Sequence, residues 1–178
     1  MNKIFRNRGI IALEIMAVVA TISIVGAIVV PVIAKARDKA KQTACMSNQR
    51  QIAMLINMYA QDNKTFLPVS SKIWSGIQKY DVNIERVKCP SDENKNHSNS
   101  YVYNNRISGV YLGQVTDPAY MLMTVDGETV TGEKRTLSNT YYSPADVQYR
   151  HSSLAVASYA DGHVEAVDKI TDKETWDK

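Results

Sequence analysis

The stretch IIALEIMAVVATISIVGAIVVPVIA, Ile10 to Ala34, decides how the rest of the chain is read. Coiled as a helix it is about 37 Å long, enough to cross a hydrocarbon layer of about 30 Å. A single charge interrupts it, the carboxylate of Glu14. Burying an ionised acid there costs on the order of 3 kcal/mol on insertion scales, so Glu14 calls for a partner cation. Directly before the stretch lies a short basic leader, Met1 to Gly9, with Lys3, Arg6 and Arg8 and no acid.

The chain has 178 residues; setting aside about 34 leaves room for a single domain of ordinary size. Its formal charge of +3 resides in the leader, because the remainder balances 18 basic against 18 acidic residues. Phosphate binding needs a basic patch. Beyond the leader the only cluster is Lys35, Arg37, Lys39 and Lys41, which flanks the apolar stretch, so no nucleic-acid partner is expected. Basic residues on both flanks, partly offset by Asp38, leave the orientation across a membrane open.

Cys45 and Cys89 are the only cysteines, and both follow the apolar stretch. In an oxidising compartment they would join as a disulfide contributing roughly 4 kcal/mol on the chain-entropy model. Two unrelated buried thiols are the alternative. Neither a CxxC nor a Cys/His metal spacing surrounds them.

Past Ala34 a helical period continues through Ala36, Ala40, Ala44, Ile52, Leu55 and Tyr59, with Lys, Arg and Gln between. A single helix from Ile10 to about Gln61 is expected, greasy all round in its first half and amphipathic in its second. Pro31 removes a backbone donor, which predicts a kink or local melting near Gly26 to Pro31, or two helices broken there. From Tyr101 the pattern turns strand-like: Tyr101–Tyr103, Ile107–Leu112, Ala119–Val125 and Ser153–Tyr159 are rich in Val, Tyr and Leu. Asp126-Gly127 and Asp161-Gly162 read as two-residue hairpin turns, the second joining Leu154–Ala160 to His163–Val167. Ser91 to Ser100 reads as a polar loop. The expected class is α+β: a long N-terminal helix packed on an antiparallel sheet of four or five strands.

Three readings of the N-terminus remain open on the residues alone. A cleaved secretory signal would exit at Ala34-Lys35-Ala36, although the apolar stretch is long for it and Glu14 interrupts it. A plain anchor accounts for the length but leaves Glu14 and Arg8-Gly9 unexplained. The third reading comes from a resemblance. Arg8-Gly9 followed by Ile10-Ile11-Ala12-Leu13-Glu14 resembles the N-terminal signal of type IV pilins and type II secretion pseudopilins: a basic leader ending in Gly, an apolar residue, and Glu at the fifth position after the cut. That family usually has Phe or Met where Ile10 stands, and often Thr in place of Ile11.

The resemblance implies that a prepilin peptidase of the bacterial inner membrane cuts between Gly9 and Ile10 and methylates the new amine of Ile10. It implies three parts: a leader at 1–9, a transmembrane and assembly half-helix at 10–34, and a periplasmic or extracellular domain at 35–178. Glu14 would then neutralise the terminal amine of a neighbouring subunit in a type IV pilus or pseudopilus. A charge pair of this kind is far stronger in a low dielectric than in water, and leaving either member alone is costly.

A second resemblance lies near the C-terminus, where His151 is followed by nine residues and then Asp161-Gly162. This is similar to the H-X9-DG signature of a bacterial subgroup of prepilin-like proteins. Cys45-Met-Ser-Asn-Gln-Arg-Gln-Ile52, Met58-Tyr-Ala-Gln-Asp62 and Cys89-Pro90 match the same subgroup. The expected role of His151, Asp161 and Gly162 is structural, with His151 capping a loop or bonding backbone near the sheet end. A metal site of His151, Asp161 and His163 is the competing reading, and it is disfavoured because His151 lies ten residues before the turn and need not converge with it. Calcium near Asp168 and Asp172 is weighed on the resemblance to major pseudopilins and finds no string of alternating acids. No cofactor and no enzymatic activity are expected, since GxSxG, a supported Ser-x-x-Lys and a Gly-rich phosphate loop are all missing. His97 reads as solvated, and Trp74 and Trp176 as packing or surface aromatics. A membrane-anchored binding protein or adhesin that never polymerises is the alternative function.

Overall fold

The computed structural model describes residues 3–80, 88–93, 99–127 and 147–170. Helix α1 runs Lys3–Asp62 and continues through Pro31, so the local melting expected there is not found. Proline costs the helix one hydrogen bond, to the Ala27 carbonyl, and the turns on either side continue without it. The chain forms two compact units, residues 1–38 and 39–178.

In the first unit the side chains from Ile11 to Asp38 are exposed, apart from half-buried Gly26. Ile22 and Met16, for example, are 65% and 73% exposed. The two hydroxyls of the stretch turn back onto the helix: Thr21 Oγ1 donates to the Val18 carbonyl and Ser23 Oγ to that of Val19. Neither then asks anything of the surroundings, which is how hydroxyls are tolerated in apolar helices.

The second unit packs the remainder of α1 against a four-stranded antiparallel sheet, as the expected α+β pilin-like fold requires. Its strands are β1 Tyr101–Tyr103, β2 Leu122–Asp126, β3 Ala155–Tyr159 and β4 Val164–Val167, in that spatial order. Cys45, Gln49, Ile52, Ala53, Ile56 and Ala60 recur at three- and four-residue steps and form the buried stripe of α1. They meet Tyr101, Tyr103, Met123, Val156, Ala160 and Val164 from one face of the sheet. Val102, Leu122, Val125, Ala155, Ala157 and Tyr159 turn to the other face, under Val147 and Ile170. A short helix α2, Ile73–Gln78, adds Ile73 and Ile77 to the first cluster. Trp74 packs against the same cluster.

Several sequence expectations are corrected here. Ile107–Leu112 is not a strand of the sheet: Asn104 caps a short turn over Asn105–Ile107 by accepting from the Arg106 N–H, and Gly109 sits at φ +69°. The segment then pairs outside the sheet, with an isolated bridge from Phe66 to Tyr111 flanked by Leu67 N–H to Val110 O and Leu112 N–H to Thr65 O. Asp126-Gly127 is not a two-residue turn, because Asp126 is the last residue of β2 and Gly127 bridges to Val147. Asp161-Gly162 does close a hairpin, through a three-residue loop. Gly162 donates to the Tyr159 carbonyl, Tyr159 donates to that of His163, and Gly162 takes the positive φ of +92° that the loop requires. The polar loop ends earlier than expected, since Asn99 and Ser100 are buried and Asn99 Oδ1 accepts from the Tyr101 N–H. His97, Asp172 and Trp176 lie outside the described residues.

Candidate functional site

A β-bulge builds the one concentrated group of chemistry-bearing side chains among the described residues. Regular alternation along β2 would send Met123 to the helix side and Thr124 and Asp126 to the far side. The register of β2 against β3 shifts between Leu122 and Thr124, which re-aims the strand. Thr124 now bonds Gln49 on α1, and Asp126 faces Cys45.

Four buried groups meet there: Cys45 from α1, Cys89 from a loop, Asp126 from the end of β2 and His151 just before β3. One atom from each lies within 4.8 Å of the other three. Cys45 Sγ is 2.8 Å from Cys89 Sγ and 3.2 Å from Asp126 Oδ1. His151 Nε2 is 3.3 Å from Cys89 Sγ and 3.3 Å from Asp126 Oδ2. None of the four residues is more than 3% exposed, so water is excluded from the group. The cysteines that the sequence reading joined are thus adjacent, and both are thiols in this structure.

Each member is held by local chemistry. Pro90 follows Cys89 in a turn closed by the Asp92 N–H on the Cys89 carbonyl, and the Asn48 side chain donates to the Lys88 carbonyl from α1. Asp126 Oδ2 accepts the Val156 N–H at 2.8 Å. The Tyr101 hydroxyl lies 3.2 Å from Cys45 Sγ. His151 enters a tight turn in which it exchanges both backbone hydrogen bonds with Leu154. Between them Ser152 and Ser153 stand at φ +53° and +68°, a pair of left-handed conformations that normally select Asn-Gly. That turn is also why β3 starts at Ala155 and not at Ser153.

Arg150 ties the surrounding segments together. Its guanidinium donates to the Ser100 and Gly127 carbonyls, next to Tyr101 and Asp126, and lies 3.4 Å from the Asp92 carboxylate in the Cys89 turn. A planar five-donor group reaches three such partners from two separate nitrogens, a spread that the single nitrogen of lysine does not offer.

Burial disfavours a charged His151, but hydrogen bonds to Asp126 and Cys89 outweigh it and raise the ring to about 9. The hydrogen bond from Cys45, helped by that of His151, holds Cys89 below the ordinary thiol range against its own burial. Burial pushes Cys45 strongly upward, reinforced by Cys89 and the Asp126 charge. Burial likewise raises the Tyr101 phenol. The group therefore favours a Cys89 thiolate facing a His151 imidazolium, with Cys45 as the thiol donor between Cys89 and Asp126.

The H-X9-DG residues part company. His151 belongs to the buried group, whereas Asp161 and Gly162 lie beyond the far end of β3. Asp161 Oδ1 accepts the His163 N–H at 2.9 Å and lies 2.6 Å from His163 Nδ1, while the His163 ring stacks on Tyr159 with centroids 4.3 Å apart. His151 therefore does not converge with Asp161 and His163; its side chain is buried against Cys89 and Ser91 of the neighbouring loop and against Asp126. Asp126 was missed because Asp-Gly reads as a turn. The available signal was its place directly after the strand-like run Ala119 to Val125.

On α1 the Glu14 side chain is exposed, and Gly9 and Ile10 lie within the helix. Fold and site together define a class: an α+β chain with, among the described residues, one helix long and apolar enough to cross a membrane, and a buried group of two cysteines, a histidine and an aspartate. Comparison with protein-family models, curated proteins and solved structures finds no match to this chain.

Proposed function

We propose that this chain is a prepilin-like filament subunit of a type IV pilus or type II secretion pseudopilus. It is inserted through Ile10–Ala34 as a single-pass precursor, with its α+β domain on the non-cytoplasmic side. Prepilin peptidase cuts between Gly9 and Ile10 and methylates Ile10, and the subunit assembles through its apolar half-helix with other subunits. The observation that carries this reading is the outer half of α1: it leaves its apolar side chains uncovered on every face, with Glu14 as the single charge from Ile11 to Ala34. A surface of that kind needs lipid or identical helices around it. Cutting at Gly9 supplies the ammonium that Glu14 lacks, at a fixed spacing from it.

Glu14→Leu tests the pairing. Insertion into the membrane should be unchanged or improved, since the only charge in the span is gone. Recovery of the variant in sheared filaments should fall at least tenfold against the wild-type chain, read by immunoblot of filament and membrane fractions. Equal incorporation would refute the role of Glu14 and favour the solitary anchored binding protein.

A further inference from the structure

We propose that Cys45, Cys89, His151 and Asp126 form a closed four-coordinate site for one zinc ion. Ligands about 2.0–2.3 Å from a tetrahedral metal stand roughly 3.3–3.8 Å from one another. Two of the edges are already close to such lengths, 3.2 Å for Cys45 Sγ to Asp126 Oδ1 and 3.3 Å for Cys89 Sγ to His151 Nε2, and one donor atom from each of the four residues lies within 4.8 Å of the other three. The sulfur pair, at 2.8 Å, needs to open by about 1 Å to reach a thiolate spacing.

The donor set selects the metal. Two soft sulfurs, one imidazole and one carboxylate suit zinc, whereas magnesium and calcium take oxygens and iron–sulfur clusters take four cysteines as a rule. All four positions would be filled by protein in a dry pocket, which is the arrangement of a structural ion and leaves no coordination site for substrate. The surroundings supply the supporting contacts that metal sites use. Asp126 can present Oδ1 while the Val156 N–H holds Oδ2. His151 can present Nε2 while Nδ1 lies 3.4 Å from the Ser91 hydroxyl. Tyr101 O–H can donate to the Cys45 thiolate. On binding, the thiol proton of Cys45 and the extra proton of His151 leave to solvent, Cys89 being a thiolate already.

The four ligands come from α1, the Cys89 turn, β2 and the turn before β3, so a single ion would tie the helix to both central strands. It would do the work of a disulfide with two further attachments. The same two sulfurs can carry either bond and never both, which makes the alternatives exclusive. The site does not rest on filament assembly: it needs only the domain to be folded.

The test is metal analysis of the full-length chain, purified in detergent without chelator and without added zinc, together with its intact mass. About one zinc per chain with both thiols accounted for is expected. His151→Ala and Asp126→Asn should drop the content below one tenth, checked on preparations that keep the wild-type circular dichroism. Cobalt exchanged into the wild-type chain should give tetrahedral d–d bands with thiolate charge transfer, a readout independent of variant folding. A chain without zinc that is lighter by two hydrogens would overturn the proposal in favour of the Cys45–Cys89 disulfide. A metal-free chain with two free thiols that refuses cobalt would overturn it as well.

Discussion

The two halves of α1 are inverted relative to each other. Residues 11–34 are almost wholly apolar and exposed, while the lysine- and glutamine-rich stretch that follows provides the buried face. Gln49, fully buried, donates to the Val156 carbonyl and accepts from the Thr124 hydroxyl, which in turn meets Ser158 Oγ at 2.6 Å. Apolar content alone therefore does not mark the core. What separates the halves is whether the sequence carries a stripe. The inner half repeats Cys45, Gln49, Ile52, Ile56 and Ala60 on one face, and the outer half repeats on every face. A stripe asks for a sheet; a uniform surface asks for a solvent of its own kind.

The largest effect that could break this contrast is a core deletion. Ile56→Ala should destabilise the domain by about 2–5 kcal/mol, while Ile22→Ala should leave it unchanged within error. Chemical denaturation of the detergent-solubilised chain, followed by near-ultraviolet circular dichroism, measures both. Equal losses would mean that the outer half supports the domain as the inner half does.

Replacing Gln49 by leucine comes next. It removes the donor to Val156 and the acceptor of Thr124 in a dry interface, so a loss of about 1–3 kcal/mol is expected despite the gain in apolar volume. Stabilisation by Gln49→Leu would show that the polar bridge is dispensable and that the stripe needs only shape. The smallest effect belongs to the turn that aims His151: Ser153→Gly should raise stability by about 1 kcal/mol, because glycine adopts its φ of +68° without strain. A rise in thermal midpoint checks it, and a fall would mean that the serine side chain matters more than its backbone.

Much of this fold was legible in the sequence because its signals are local. The end of α1 at Asp62 falls one residue from the expected Gln61, and β1, β3 and β4 lie inside the runs that predicted them. Misreadings occur where a distant partner decides. Ile107–Leu112 has strand composition, yet the Asn104 cap turns it and the segment pairs with Thr65 to Leu67 outside the sheet. Asp126-Gly127 has turn chemistry, yet the bulge in β2 draws Asp126 inward. Of the buried group, Cys45, Cys89 and His151 each stood out in separate motifs. Their meeting could not be read from spacing, because it depends on the order of the strands and on a register shift that leaves no mark in composition. Asn48 and Gln49, within the Cys45 to Ile52 motif, acquire roles only in the folded chain, at the Lys88 and Val156 carbonyls.

The exposed outer half and the fixed spacing from Gly9 to Glu14 meet in a single observable, the N-terminus of the chain recovered from membranes of the organism that makes it. Edman or mass-spectrometric sequencing should return Ile10 carrying one extra methyl group on its amine. Met1 would contradict processing and leave a simple anchor, and a chain beginning at Arg37 would mean that the whole apolar helix is discarded as a secretory signal.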